Sequence, residues 1–175
     1  MDEGYKSSLI SFFDSIDKLD SGERASLKRS AGNDLIDARP GALAAFYRAL
    51  PYGVPRFKEN TWFLAATLYA GCKTIMSQSD RGKNWDETNF GWSLKKAASQ
   101  KSSAGFDKKF KALLDSGQSD YIASFQLRQL VVQIDGMGAP VNWPKLLQDL
   151  LNWEHPDHFV QKNWARAYFM RDKEE

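Results

Sequence analysis

Residues 142–153 read NWPKLLQDLLNW, and their spacing leaves little freedom. Trp143, Leu146, Leu147, Leu150 and Leu151 recur at three- and four-residue steps. That gathers them on one side of a helix and would scatter them over both faces of a strand. Asn142 stands before the stripe as an N-cap, and Pro144 falls in the first turn, where its missing N–H breaks no bond. A short helix with such an apolar face is marginal alone in water and needs other helices against it.

The rest of the chain supplies them. YKSSLISFFDSIDKL sets Leu9, Phe12, Phe13, Ile16 and Leu19 on one face. A short helix follows in LDSGERASLKRSAG, with Asp20 or Ser21 as its N-cap. RPGALAAFYRAL is a third, with Pro40 in its first turn and Pro51 beyond its end. ENTWFLAATLYAGCKTIM carries Trp62, Ala65, Ala66, Tyr69 and Ile75 and reads as a long, mostly buried helix. The polar, aperiodic SQSDRGKNWDETNFG is a loop and the expected boundary between two halves.

Beyond the loop, WSLKKAAS and AGFDKKFKALLDS read as shorter helices. SDYIASFQLRQLVVQI bears the stripe Ala123, Leu127, Leu130, Val131 and Ile134, and DGMGAP stops it. Pro156 is expected to open the last helix, which contains VQKNWARAYF. No segment alternates with period two, and LVVQI lies inside a helical stripe. The expectation is an all-α helical bundle of roughly eight or nine helices in two small packed sub-bundles, residues 1–80 and 81–175, or one compact unit.

Reactive groups are sparse. His155 and His158 in EHPDH are three apart, but Pro156 interrupts them and no third ligand cluster is near. Exposed helix-terminal histidines fit the pattern better than a metal site. Cys72 sits in an apolar stretch and reads as a small hydrophobe. As the single cysteine it forms no intrachain disulfide, which fits a reducing cytoplasm. DRGKN lacks the remaining glycine and hydroxyl of a phosphate-binding loop. The N-terminal MDEGYKSSLI lacks a basic region before an apolar run, and no apolar run is long enough to span a bilayer. The reading is a soluble cytoplasmic protein, not an enzyme, with no cofactor and no metal.

The net charge of +2 conceals segregation. Residues 95–111 hold six lysines against Asp107 alone, and residues 21–58 hold seven cations against three acids. Residues 1–20 hold five acids against two lysines. Arg24 and Lys28 share a helix face with Arg29 beside it, Lys108 and Lys111 share another with Lys109 beside it, and Lys162 and Arg166 form a third pair. Like charges four apart destabilise a helix by a few tenths of a kcal/mol. Several such pairs call for an outside anion, and a phosphodiester backbone is the obvious one. Solvated lysine faces are the plain alternative, and the aromatic residues read as core anchors more than as stacking platforms.

The order LDSGERASLKR, AFYRALP, GWSLKKAA, LRQLV, VNWPKLLQDLLNW and NWARAYF resembles the CasB family, the small subunit of the type I-E CRISPR surveillance complex called Cascade. The similarity runs from about Leu19 to Phe169. It implies two small helical bundles and no catalysis. It also implies a pair of copies along the complex, touching the backbone and large subunits, the guide RNA, and the target and displaced DNA strands. By this resemblance the nucleic-acid contacts fall on Lys28 and Arg29, on Arg56 after the PYG turn, on Lys108 and Lys109, and on Arg128. Gln129 stands where a second arginine often follows. Lys95 and Lys96 stand where the family has glycine and arginine, giving point charges without a planar fork. Lys162 and Arg166 align loosely. Two other readings remain: a helical adaptor whose basic faces meet acidic proteins, and a small enzyme built on Cys72 or the histidine pair.

Overall fold

The computed structural model describes residues 3–99, 104–117 and 125–171. Ala123, Lys101 and the last four residues lie outside them. The described residues form nine α-helices and no strand. In chain order these are α1 (Glu3–Asp17), α2 (Ser21–Arg29), α3 (Pro40–Ala49), α4 (Glu59–Gly71), α5 (Phe90–Ala98), α6 (Ala104–Leu114), α7 (Phe125–Gly136), α8 (Trp143–Leu151) and α9 (Phe159–Phe169). Short 3-10 turns precede α3, α4 and α5. The all-α expectation holds.

Local chemistry places the ends. Asp20 accepts from the Glu23 N–H at 2.8 Å while the Glu23 carboxylate accepts from the Asp20 N–H, a complete capping box at α2. Asn142 caps α8 by accepting from the Lys145 N–H. Asn89 caps α5 in the same way. At the end of α7, Gly138 adopts φ 68°, which lets the Ala139 N–H return to the Ile134 carbonyl at 3.1 Å.

Several ends differ from the sequence reading: α1 ends at Asp17, before Leu19, and α5 starts at Phe90, inside the stretch read as loop. α4 stops at Gly71, and Cys72 is extended beyond it. The Asp135 carboxylate accepts the Lys73 and Thr74 N–H groups at 2.9 and 2.7 Å, so the chain turns away before Ile75. α9 starts at Phe159, because Pro156 sits in a turn closed by the His158 N–H on the His155 carbonyl and His158 is left-handed at φ 49°.

α8 is the hub. It packs against α1 and α4, and its Trp143 ring meets Tyr69 at 5.5 Å and Phe13 at 6.2 Å. Phe46, Trp62, Trp143, Trp153 and Trp164 are all buried, in the core role expected of the aromatic residues. α9 lies along α5, where the absence of a side chain at Gly91 admits the Trp164 carbonyl. α6 packs on α7 and, through Phe110 and Tyr168, touches α9.

The loop after α4 is fixed by ions as well as turns. Arg81 is 2% exposed and donates to Asp14 at 2.5 Å and to Asp17 at 2.7 Å. Tyr69 donates to Asp17 at 2.5 Å, and burial with that hydrogen bond pushes its phenol well above the usual range. Trp85 of the same loop donates to Gln148 on α8 at 2.8 Å.

Candidate nucleic-acid interface

A cation is free to meet an outside anion only if no internal acid already holds it. Lys28, Arg29, Arg56, Lys96, Lys108, Lys109, Arg128, Lys162 and Arg166 form no ion pair among the described residues. Paired instead are Arg24, Arg48, Arg81, Lys83 and Lys145; of these only Arg24 stood in a like-charge pair that the sequence reading left to an outside anion, and Asp17 already holds it at 3.5 Å.

Tertiary structure joins Lys28 and Arg128, a hundred residues apart in the chain. Both line a cleft of about 170 Å³ between α2, α4 and α7. Its floor includes Thr67, Leu68 and Val131, and Asp135 stands on its wall. The Lys28 stem runs beside Gly71. The Arg128 guanidinium lies over Gly32, where φ is 92° and a Cβ would come within 2.8 Å of it. Glycine is needed there for the turn, since an L side chain rarely takes this φ; the guanidinium ends a flexible side chain and could shift aside from a Cβ.

Arg29, on the next face of α2, donates to Ser26 at 3.2 Å and lines a second small cleft with Arg39. Arg39 was counted in the basic segment but not assigned to the site. Its position just before Pro40, at the N-cap of α3, gave no helix-face signal.

The remaining residues form a group on α5, α6 and α9. Lys96 holds its ammonium 4.5 Å from the Trp92 ring centroid. Lys95 is half-buried and donates to the Met170 carbonyl at 2.7 Å, capping the C-terminal end of α9. Lys108 is exposed on α6 opposite the buried Phe106, Phe110 and Leu113, and Lys109 is half-buried at the edge of that apolar face. Asp107 beside them accepts from Tyr168 of α9 at 2.6 Å. On α9, Val160, Trp164 and Tyr168 point inward while Lys162 and Arg166 are exposed. Trp164 donates to the buried Asp149 at 2.7 Å, and Asp149 also pairs with Lys145. Burial raises the Asp149 carboxyl despite these donors. Arg56 stands apart, exposed on the 3-10 turn before α4.

Cys72 and the two histidines carried the alternative reading as a small enzyme. Cys72 is half-buried, and burial with the nearby Asp135 charge pushes its thiol up to about 12, away from nucleophile chemistry. His155 and His158 are exposed, and among the described residues no cluster of three His, Cys, Asp or Glu could hold a metal. Among them, too, no helix is long and apolar enough to cross a membrane.

The family described as CRISPR-associated protein Cse2 matches residues 23–169. This chain belongs to the Cse2 family. A CRISPR-associated protein Cse2 of Thermus thermophilus is 32% identical to it over 168 residues, covering 90% of this chain and 88% of the relative. CasB of M. ruber shares the fold at a TM-score of 0.73 and 23% identity, covering 90% of each chain. A chain of a CRISPR RNA-guided surveillance complex superimposes at a TM-score of 0.72 and 21% identity, covering 94% of this chain and 92% of its own. The Cse2 family is the CasB family to which the sequence motifs pointed. The match takes in each of the ten site residues, Lys28 to Arg166.

Proposed function

We propose that this Cse2-family chain is a non-catalytic small subunit of a type I-E CRISPR surveillance complex, acting in the cytoplasm. It holds guide RNA and target DNA by their backbones and stabilises the opened duplex during antiviral defence. Its partners are the backbone and large subunits, the guide RNA, the target and displaced strands, and a second copy of itself. Residues 1–80 and 81–175 serve as its two sub-bundles, joined through α8. The observation that carries the reading is the set of unpaired cations, above all Lys28 and Arg128 brought to one cleft from distant helices. Such an arrangement leaves charge unsatisfied inside the chain and suits a polyanion read by charge and not by base identity. Within this reading Lys95 contributes less than its neighbours, because it already serves the end of α9.

The test compares the parent with Lys28→Gln/Arg128→Gln and with Lys108→Glu/Lys109→Glu, alone and in the assembled complex. The parent should bind single-stranded DNA with affinity that falls steeply as salt rises. Each lost phosphate contact should flatten the log–log slope by about 0.7. Both variants should weaken target binding by the complex with folding intact. Salt-independent binding, or unchanged slopes in both variants, refutes the proposal and leaves the adaptor reading, in which basic faces meet acidic proteins.

A further inference from the structure

The turn over residues 50–58, LPYGVPRFK, is unlike the rest of the surface. Tyr52 is fully exposed and Phe57 is 82% exposed, the two barest aromatic rings among the described residues. The sequence reading took the aromatic residues for core anchors, and these two lie outside the core. The turn that carries them is rigid. Pro51 and Pro55 fix φ on either side, Gly53 takes φ 86°, and the Lys58 N–H closes the 3-10 turn on the Pro55 carbonyl at 2.9 Å.

Rigid, bare rings are costly in water and contribute nothing to this core. Phe57 is bracketed by cations in the chain. Arg56 is exposed and unpaired, and the Lys58 ammonium lies 5.9 Å from the Phe57 ring centroid. The adjacent acid, Glu59, is occupied by the Tyr47 hydroxyl at 2.8 Å. Tyr52 also borders a cleft of about 140 Å³ whose walls include Tyr5, Val54 and Trp62, with Lys58 at the rim. Ring faces alternating with cations match an unpaired nucleic-acid strand, which offers a base face and a phosphate at each step. A duplex hides its base faces, and an apolar protein partner has no use for the flanking charges.

We propose that this turn is a stacking site for single-stranded nucleic acid, with Tyr52 and Phe57 taking unpaired bases and Arg56 and Lys58 taking the flanking phosphates. The phosphate part rests on the function proposed above; the stacking part makes a separate demand. The probes are a thymidine homopolymer and an abasic polymer of equal length, titrated against the full chain at low salt. The parent should prefer the base-bearing polymer, and Tyr52→Ala/Phe57→Ala should remove a preference of about thirtyfold or more, at about fivefold or more for each ring, while leaving abasic binding unchanged. Tyr52→Phe, which keeps the ring, should keep the preference. Both rings are outside the core, so unfolding midpoints should not move. Equal, salt-sensitive binding of both polymers by the parent overturns the stacking site and leaves the phosphate reading standing. No binding of either polymer overturns both. If the double variant binds both polymers as the parent does but fails to join the assembled complex, the turn docks a protein and the proposal falls.

Discussion

Replacing Gly91 by alanine sets two effects of opposite sign against each other. Gly91 lies in the first turn of α5. In an exposed helix, glycine to alanine stabilises by about 1 kcal/mol, because glycine loses more backbone freedom on folding. Here a Cβ would lie 2.8 Å from the Trp164 carbonyl carbon, 3.0 Å from its Cα, and closer still to its oxygen. The obstacle is backbone, so no rotamer change relieves it. Overpacking of this kind costs about 1–3 kcal/mol, with the upper end expected where a whole helix must shift. A radial gap of even 0.5–1 Å between α5 and α9 forfeits a quarter to a half of the dispersion energy there. That weakens the Phe90–Trp164 ring pair, now 5.0 Å apart. The net expectation is a loss of about 2 kcal/mol, or a melting point lower by about 4–8 °C for a chain of this size. Thermal and urea unfolding followed by circular dichroism measure it. A melting point equal to the parent's, or higher by the ~2–4 °C that propensity alone predicts, would refute the close approach of these helices.

Two further outcomes follow from buried groups. Arg81→Met strands Asp14 and Asp17 without their shared cation, and because those carboxylates keep some water the cost should be about 2–3 kcal/mol instead of the 3–5 of a fully buried pair. Urea unfolding, together with faster chymotryptic cutting near Trp85, reports it; a change within about 0.5 kcal/mol would mean the loop is held by other contacts. Cys72, with its thiol near 12, should carry about three orders of magnitude less thiolate at pH 8 than a free cysteine, and greater thiolate nucleophilicity recovers about half of that on a log scale. An aromatic disulfide reagent should therefore react roughly fifty- to hundredfold more slowly than with free cysteine. Since the folded chain holds this proton more tightly than the unfolded one, the stability Cys72 contributes is intact below about pH 8.5 and is lost as pH rises towards 12. Fast labelling of the folded chain at pH 8 would contradict its burial.

Periodicity and capping are local, so the sequence by itself determined the helices, most of their ends and their inward faces. Asn142 caps as its position required, Asp20 is the one of the two candidates that caps α2, and Trp164 turns inward while Lys162 and Arg166 stay in water. The end of α4 was not legible, because the carboxylate that turns the chain at Lys73 and Thr74 belongs to Asp135, about sixty residues on. The same holds for Arg81, read as part of a polar loop although Asp14 and Asp17 bury it against α1. Composition showed where cations cluster along the chain, but which of them are already spent on acids, and that Lys28 meets Arg128 over one cleft, depended on packing. Charge acts through space while helix propensity acts along the chain. The elements could therefore be read in order from the residues, whereas the surface they present was decided only when the helices came together.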